Sequence, residues 1–310
     1  MTPTRRALLD ALAEGPVRGP AFADDRGLTR AAVWKQVEAL REAGFGIESG
    51  EDGYRVTAVP EYGAEAVAFG LSAPYDVEFH DTVSSTNSRA RELASDGADD
   101  VAVLAAEQTG GRGRRGRGWA GPPGGVYASV LVRPDRPPAH APVFTLAAAV
   151  AVARACDPLG VDARIKWPND VLVEADGAER KLSGVLTEME SEGGQIAWLV
   201  AGVGVNANVG VEALPSGATS LRRLVGDVDR AAFVRRLLTA FHDLSTDPDA
   251  VLPAWRERAS TTGRRVRVDT PGGEVVGIAR DVEFPGALVV ETDEGTERVH
   301  AGDCEHLRPV

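Results

Sequence analysis

The sequence predicts an α+β protein made of three successive units. Helical apolar spacing is followed by a hairpin pattern in residues 1–58, and β-like runs then alternate with helical runs from Asp76 to Leu244. A β-rich tail with short alternating strands completes the pattern from Val266 to Leu307. We place the units at residues 1–60, 61–260 and 261–310.

The first unit has the pattern of a winged helix-turn-helix, which is three helices and then a hairpin. Apolar spacing predicts helices over Thr4–Ala13 and Arg30–Ala43 and a shorter one near Pro20–Asp25, and Ile47–Thr57 predicts the hairpin. The third helix would present a DNA-reading face that carries Arg30, Trp34, Lys35 and Gln36. Eight bases against nine acids give this unit no strong positive field, so a winged helix that binds protein instead of DNA remains an alternative.

Residues 59–74 form a linker or a short connecting helix before the larger second unit. The predicted strands of that unit are Ala102–Ala106, Val126–Val132, Arg164–Trp167, Leu182–Leu186 and Ile196–Val205. The predicted helices are Ser88–Ser95, Val143–Cys156 and Arg230–Leu244. This pattern predicts a mixed sheet with helices on one side, and the turns of the tail predict a small β-barrel.

Composition narrows the classes of function. The 46 acidic and 34 basic residues give a net charge of −12, which argues against sequence-independent binding of polyanions by the whole molecule. Two cysteines, Cys156 and Cys304, cannot form a disulfide framework and indicate a reducing compartment. We see neither a membrane-spanning run nor a secretory leader, so we expect a cytoplasmic protein whose apolar stretch Phe144–Ala155 is a packed helix.

The most unusual segment is the arginine loop, Gly110–Trp119, which follows the strand ending near Ala106. Its sequence, GGRGRRGRGW, alternates four arginines with glycines. Glycine lets the backbone turn sharply and approach a ligand, and each guanidinium offers a planar fork for phosphate or carboxylate. An RNA-binding arginine–glycine segment would normally recur in a disordered tail, and a nuclear-localisation signal has no other support here. A phosphate-cradling loop therefore fits the strand-then-loop context best.

Lysine is rare, with three lysines against 31 arginines, and two of the lysines flank one turn. Lys166 opens the segment KWPND, and Lys181 lies in RKLSG. Adjacent strands of a hairpin would bring Asp170 and Lys181 to one site. An ammonium there would stabilise charge in an acyl-adenylate transition state, and the aspartate could hold the metal that neutralises pyrophosphate. A surface ion pair on a hairpin is the alternative.

Two further segments carry hydroxyl or amide side chains where strands end. Ser85, Thr86 and Asn87 lie at a strand-to-helix turn, where Ser and Thr also serve as ordinary N-caps. The segment GVGVNAN, Gly202–Asn208, is either a plain turn or places Asn206 against the edge of a nucleotide base.

In their order and near-spacing, the segments SSTN, EQTGGRGRRGRGW, KWPND, RKLSGVL and GVGVNAN resemble those of biotin protein ligases. The segment GLTRAAVWKQVEALREAGFGIESGEDGYRV is similar to the winged helix of the bifunctional type, which is both biotin operon repressor and ligase. The resemblance covers nearly the whole chain. It implies a catalytic domain like that of class II aminoacyl-tRNA synthetases and an SH3-like C-terminal barrel. Ser183 stands where many relatives have alanine.

The resemblance implies that biotin and ATP, with Mg²⁺, give biotinyl-5′-adenylate, which a lysine of a biotin carboxyl carrier protein then attacks. It further implies a ligand-bound homodimer that represses transcription on operator DNA. Three alternatives remain. The arginine loop argues against a lipoate-type ligase, and Lys181 with Asp170 argues against a DNA-binding regulator without ligase activity. The third alternative is a ligase whose winged helix does not bind DNA.

The family's functional residues map onto matching positions of this sequence. By resemblance, the catalytic residues are Lys181, Asp170 and Arg112, and Asp170 lies at the metal. Those implied for biotin are Ser85, Thr86, Asn87, Gln108, Arg112, Gly113, Arg114 and Lys181. Those implied for the nucleotide are Arg114, Arg117, Trp119, Lys166 and Asn206, with Arg308 as a further candidate.

Overall fold

The computed structural model describes residues 1–307 and begins with three helices and a hairpin, in the order that the apolar spacing predicts. These are α1 (Pro3–Glu14), α2 (Gly19–Asp25), α3 (Arg30–Glu42), β1 (Gly46–Gly50) and β2 (Gly53–Ala58). Thr29 caps α3, because its hydroxyl accepts a hydrogen bond from the Ala32 amide at 3.1 Å. The candidate residue Arg308 lies outside the described residues.

The N-terminal unit packs firmly on the linker, which contains the short helix α4 (Ala64–Ala68). A guanidinium nitrogen of Arg5 donates to Glu65 Oε1 at 3.0 Å. The rings of Phe45 and Phe69 meet edge to face with centroids 5.8 Å apart. Apolar side chains of α1, α3 and α4 belong to one continuous core, so the position of the first unit is set by burial as well as by an ion pair.

The central part contains seven strands and five further helices. The strands are β3 (Asp76–Val83), β4 (Val101–Gln108), β5 (Val126–Val132), β6 (Arg164–Lys166), β7 (Asp170–Ala175), β8 (Ala178–Glu192) and β9 (Gln195–Val205). The helices are α5 (Thr86–Ser95), α6 (Ala141–Cys156), α7 (Leu221–Val225), α8 (Arg230–Thr246) and α9 (Val251–Arg258). The sheet order is β3-β4-β5-β9-β8-β7-β6. Only β3 and β4 pair in parallel, so the predicted mixed sheet is confirmed.

The prediction that helices cover one side of this sheet is wrong. Helices α6, α8 and α9 pack together against one face. Helix α5 packs on the other face, where Ala90 and Ala94 form a separate apolar cluster with Val103, Leu131 and Val200. Successive strand residues point to opposite faces, and these strands are apolar on both, so the second face also requires a cover.

The stretch Pro138–Leu159, which contains α6, is long and apolar enough to cross a membrane. It is nevertheless 67% buried inside the fold over its most apolar window. Twelve residues of α6 are buried, among them Phe144, Leu146 and Val150. The expected packed helix is therefore confirmed, and it forms the centre of the helical layer.

The C-terminal part is an antiparallel sheet of five strands. They are β10 (Arg265–Thr270), β11 (Gly273–Glu283), β12 (Ala287–Thr292), β13 (Gly295–Val299) and β14 (Asp303–His306), in the order β13-β12-β11-β10-β14. This confirms the all-β tail. The sheet is joined to the central part where the buried indole of Trp167 donates to the Gly286 carbonyl at 2.9 Å. Arg264 also pairs with Glu179 at 2.8 Å across the junction.

Ser183 is a fully buried residue of β8 whose hydroxyl finds no hydrogen-bond partner among residues 1–307. An unsatisfied buried hydroxyl costs free energy, so Ser183→Ala should raise the free energy of unfolding by about 1 kcal/mol. Guanidinium denaturation of both chains measures this. The matched control is Ser129→Ala, because the Ser129 hydroxyl is equally buried but bonded, and this variant should be destabilised. A lower midpoint for Ser183→Ala would contradict the expectation.

Candidate active site

A cavity of about 230 Å³ lies between α5, the strands β8 and β9, and the arginine loop. Most of the site residues expected from the sequence line it. They are Ser85, Thr86, Asn87, Gln108, Arg112, Gly113, Arg114, Arg117, Trp119, Asp170, Lys181 and Asn206. Segments that are up to 121 residues apart in the chain (Ser85 to Asn206) thus meet at one cavity. This is not expected if the segments were unrelated turns on the surface.

Lys166 is the expected nucleotide residue that does not line the cavity. It is half-buried at the end of β6, next to Cys304 and His306 of the C-terminal sheet. Burial lowers the pKa of His306, and the positive charges of Lys166 and Arg264 lower it further. Lys166 therefore lies at the junction of the two sheets.

Neutral polar groups form one part of the cavity wall. The Thr86 amide and hydroxyl both donate to Gln108 Oε1, at 2.8 and 3.1 Å. Thr86 begins α5, and Gln108 ends β4, which is parallel to the strand that precedes α5, so both lie at the same edge of the sheet. Because its oxygen is occupied, Gln108 offers its amide nitrogen as a donor to a ligand.

Asn87 lines the cavity but is held on all sides by the protein. Its Nδ2 donates to Glu188 Oε2 at 2.7 Å and to the Leu186 carbonyl at 3.2 Å. Its Oδ1 accepts from the buried Ser129 hydroxyl at 2.6 Å. A Cβ on Gly202 would lie 1.9 Å from the same oxygen, so this position on β9 must be glycine for Asn87 to fit. Ser129 and Glu188 belong to no motif of the sequence, whereas Gly202 opens the segment GVGVNAN.

Asp170 and Lys181 meet as the hairpin pattern predicts. They lie on the paired strands β7 and β8, and Lys181 Nζ is 2.6 Å from Asp170 Oδ1. The lysine side chain is 35% exposed and the aspartate 24%, so the pair is open to the cavity. An ammonium and a carboxylate are therefore both available to a charged ligand.

The arginine loop is folded as a small hairpin over the cavity. The Gly113 amide donates to the Arg117 carbonyl at 2.7 Å, and the Trp119 amide donates to the Gly111 carbonyl at 2.9 Å. Arg114 is more buried than its neighbours and donates to Asn169 Oδ1 at 3.2 Å. Burial lowers the pKa of the Arg114 guanidinium, whereas nearby Asp303 and Asp170 act in the opposite direction.

The indole of Trp119 lies on a floor of two glycines. Gly184 and Gly204 are registered partners on β8 and β9, and a Cβ on Gly204 would come within 2.5 Å of the ring. The ring centroid is 5.5 Å from Lys181 Nζ, a cation–π distance. The indole N–H is buried and finds no acceptor among residues 1–307. This donor is thus available to a ligand that enters beside Lys181.

Asn206 and the segment that follows it close another side of the cavity. The buried Asn206 side chain donates to the Thr219 carbonyl at 2.9 Å, which leaves its oxygen as an acceptor. Leu214, Pro215 and Ala218 also line the cavity, although they belong to no motif of the sequence. The Lys181 amide donates to the Gly217 carbonyl at 2.9 Å, so this segment is tied to the strand that carries the lysine.

The residues expected to read DNA lie on α3, and none of them lines this cavity. Arg30, Trp34 and Lys35 are exposed, and Trp34 is 56% exposed despite its large apolar ring. Gln36 differs from this expectation, because it is half-buried and its Oε1 accepts from Arg5 Nε at 3.2 Å. The helix turns Gln36 toward α1, which reduces the exposed set to three residues.

Comparisons with known proteins agree with this architecture. Residues 80–206 match the Biotin/lipoate A/B protein ligase family, and residues 261–307 match the Biotin protein ligase C terminal domain. The bifunctional ligase/repressor BirA of Bacillus subtilis is 34% identical over 309 residues, covering 93% of each chain. The biotin--[acetyl-CoA-carboxylase] ligase of Mycobacterium tuberculosis is 38% identical over 239 residues, covering 72% of this chain and 86% of that one.

The fold is shared with a solved structure of lower identity. The biotin protein ligase from Aquifex aeolicus in complex with biotin and ATP superposes with a TM-score of 0.62 at 24% identity. The match covers 75% of this chain and 99% of that chain. From the family matches and the near full-length relatives, we conclude that the chain belongs to the biotin protein ligase family.

Proposed function

We propose that this chain activates biotin with ATP and transfers it to a lysine of a biotin carboxyl carrier protein. The observation that carries the proposal is that a neutral polar network and a set of cationic side chains share one cavity. Biotin has a neutral urea at one end and a carboxylate at the other, so it requires both kinds of contact. A lipoyl group ends in an apolar dithiolane ring, which would leave the Gln108 amide without a partner.

The neutral network would hold the urea. The Gln108 nitrogen donates and Ser85, the N-cap of α5, offers a hydroxyl, whereas Asn87 positions Thr86 through their shared neighbour Ser129. We therefore assign Asn87 to support and Gln108 to direct contact. The wall of β8 and β9 beside these groups is glycine and aliphatic, which suits the bicyclic ring.

The cationic part would carry the chemistry. A biotin carboxylate oxygen attacks the α-phosphorus of ATP, a new P–O bond forms, and pyrophosphate leaves. Lys181 and Arg112 would neutralise the carboxylate, and Arg114 and Arg117 the phosphates. The lysine amine of the carrier then attacks the acyl carbon and AMP departs. The loop and Trp119 shield the mixed anhydride from water between these two steps.

The carboxylate at the cavity fits an Mg²⁺ ion that enters bound to the phosphates of ATP. No group of three or more His, Cys, Asp or Glu side chains that could hold an ion occurs within residues 1–307. Mg²⁺ is usually held by one or two carboxylates together with substrate phosphates and water. Asp170, which is at the cavity and fixed by Lys181, would supply the carboxylate, and the ion would neutralise the leaving pyrophosphate.

We further propose that the three helices and hairpin of residues 1–60 form a winged helix that binds operator DNA as a ligand-bound homodimer. The exposure of Arg30, Trp34 and Lys35 on α3 supports this role. The name of the Bacillus subtilis relative, a ligase and repressor that matches over 93% of this chain, supports the pairing of the two activities. We also assign residues 261–307 to an SH3-like unit and place the protein in the cytoplasm.

Lys181→Arg should reduce the rate of biotin transfer about 100-fold although the charge is kept, because a planar guanidinium cannot replace a compact ammonium beside Gly184 and Trp119. The measurement is ATP-dependent incorporation of labelled biotin into a carrier domain. Arg180→Lys, the neighbouring residue on β8, is the matched control and should be unaffected. Near-normal transfer by Lys181→Arg would overturn the role assigned to this lysine.

Arg30→Ala and Trp34→Ala should each weaken binding to the biotin-gene promoters of the same genome about fivefold or more, without altering biotin transfer. Footprinting with and without biotin and ATP measures the first effect. Arg298→Ala removes the same charge from the C-terminal sheet and should leave the footprint unchanged. A footprint that is the same for all variants, or indifferent to both ligands, counts against operator reading.

A further inference from the structure

Three guanidinium groups of the arginine loop converge on one carboxylate of the C-terminal sheet. The nearest nitrogen of Arg117 is 3.1 Å from Asp303, that of Arg115 is 3.4 Å away, and that of Arg114 is 3.8 Å away. The Asp303 side chain is 25% exposed, so these contacts are screened less than those of a fully exposed pair. The loop is therefore attached to a part of the molecule that is remote in sequence.

Arg115 differs from the other arginines of the loop in its backbone. Its φ is +53°, in the left-handed region that normally favours glycine, and the residue after it is a glycine. Arg115 does not line the cavity. Its side chain donates to the Asp269 carbonyl at 2.7 Å in addition to pairing with Asp303. Arg115 thus has a backbone conformation that favours glycine, and its side chain contacts the C-terminal sheet instead of the cavity. We infer that these contacts between the loop and the sheet are functional.

The acceptor of these contacts is a rigid surface. Asp269 and Asp303 are registered partners on β10 and β14, so the carbonyl and the carboxylate are held side by side. A Cβ on the preceding Gly302 would lie 2.9 Å from the Asp269 carbonyl, so glycine permits this close pairing. The geometry at Asp303 is thus set by the sheet and not by the loop.

We propose that Arg115 and Asp303 form a latch that fixes the arginine loop to the C-terminal sheet and retains the acyl-adenylate between the two half-reactions. Both are positioning residues, because they act through Arg114 and Arg117, which reach the cavity. The proposal rests on the proposed ligase function. It gives the C-terminal sheet a specific part in that function, which is to supply the counter-charge for the loop.

The ion pair between Arg115 and Asp303 is expected to slow opening of the arginine loop without preventing it. Arg115 is 47% exposed, and a partly exposed ion pair weakens as salt is added. The carrier lysine must reach the acyl carbon, so the loop has to open on each turnover. Escape of the intermediate and entry of the carrier would then depend on the same contact.

The test uses the full chain loaded with labelled biotin and ATP with Mg²⁺, desalted, and followed for loss of bound adenylate without any carrier. Arg115→Gly and Asp303→Asn should release the intermediate about tenfold faster, the change expected for loss of one charge-assisted hydrogen bond. The rate of adenylate formation should stay near that of the wild type. Added salt should speed release from the wild type more than from Asp303→Asn, because the variant has already lost the ion pair that salt weakens, a difference that a purely structural role would not produce.

Two control variants separate loss of the latch from other effects of substitution. Asp303→Glu keeps the charge and should restore retention. Glu305→Gln breaks a different ion pair on the same strand, with Arg267, and should release adenylate at the wild-type rate. Arg115→Gly suits the left-handed backbone, so faster release by this variant cannot be attributed to backbone strain.

Limited trypsin digestion gives a readout that needs no activity. Loss of the latch should make cleavage within the arginine loop faster in Asp303→Asn than in the wild type or in Glu305→Gln. Wild-type rates of release in Asp303→Asn and Arg115→Gly, together with a wild-type rate of cleavage in Asp303→Asn, would overturn the latch. A wild-type chain that forms no adenylate would instead overturn the proposed function, and the digestion would still decide whether the latch exists.

Discussion

The structure depends on how a concentration of positive charge is balanced around one cavity. Four guanidinium groups and the Lys181 ammonium lie within or beside it, and like charges at such distances repel. Two carboxylates offset part of this charge. Asp170 pairs with Lys181 at the mouth of the β7–β8 hairpin, and Asp303 faces the loop from another sheet. The remaining positive charge is what a carboxylate and a chain of phosphates would neutralise, so binding of the proposed anionic substrates would complete the balance.

The sheet places this charge next to a neutral, tightly bonded network. Paired glycines on β8 and β9 make a flat surface on which an indole lies, and a third glycine on β9 leaves room for the Asn87 amide. Any larger residue at these glycine positions would clash with Trp119 or Asn87 and displace it. The small residues of the GVGV segment thus have a packing reason, whereas the arginine-rich loop has an electrostatic one.

Much of the site could be predicted from the sequence because patterns within short segments determine where its residues lie. The hairpin spacing predicted the contact between Asp170 and Lys181, and the strand-then-loop context predicted a loop beside a binding site, which the structure shows lining a cavity. The prediction failed where tertiary packing decides. A half-buried lysine, Lys166, lies at the sheet junction because β6 is the edge strand that faces the C-terminal sheet. Asp303 and Arg115 meet across 188 residues of chain, a contact that no local pattern encodes. Helix α5 covers the second face because the strands are apolar on both sides.

In the proposed reaction, one cavity joins a biotin carboxylate to the α-phosphate of ATP. Exchange of labelled pyrophosphate into ATP tests this step alone, without any carrier protein or DNA. We expect exchange that requires both biotin and Mg²⁺ and that disappears when biotin is withheld. Exchange that proceeds equally without biotin, or no exchange with every component present, would contradict it.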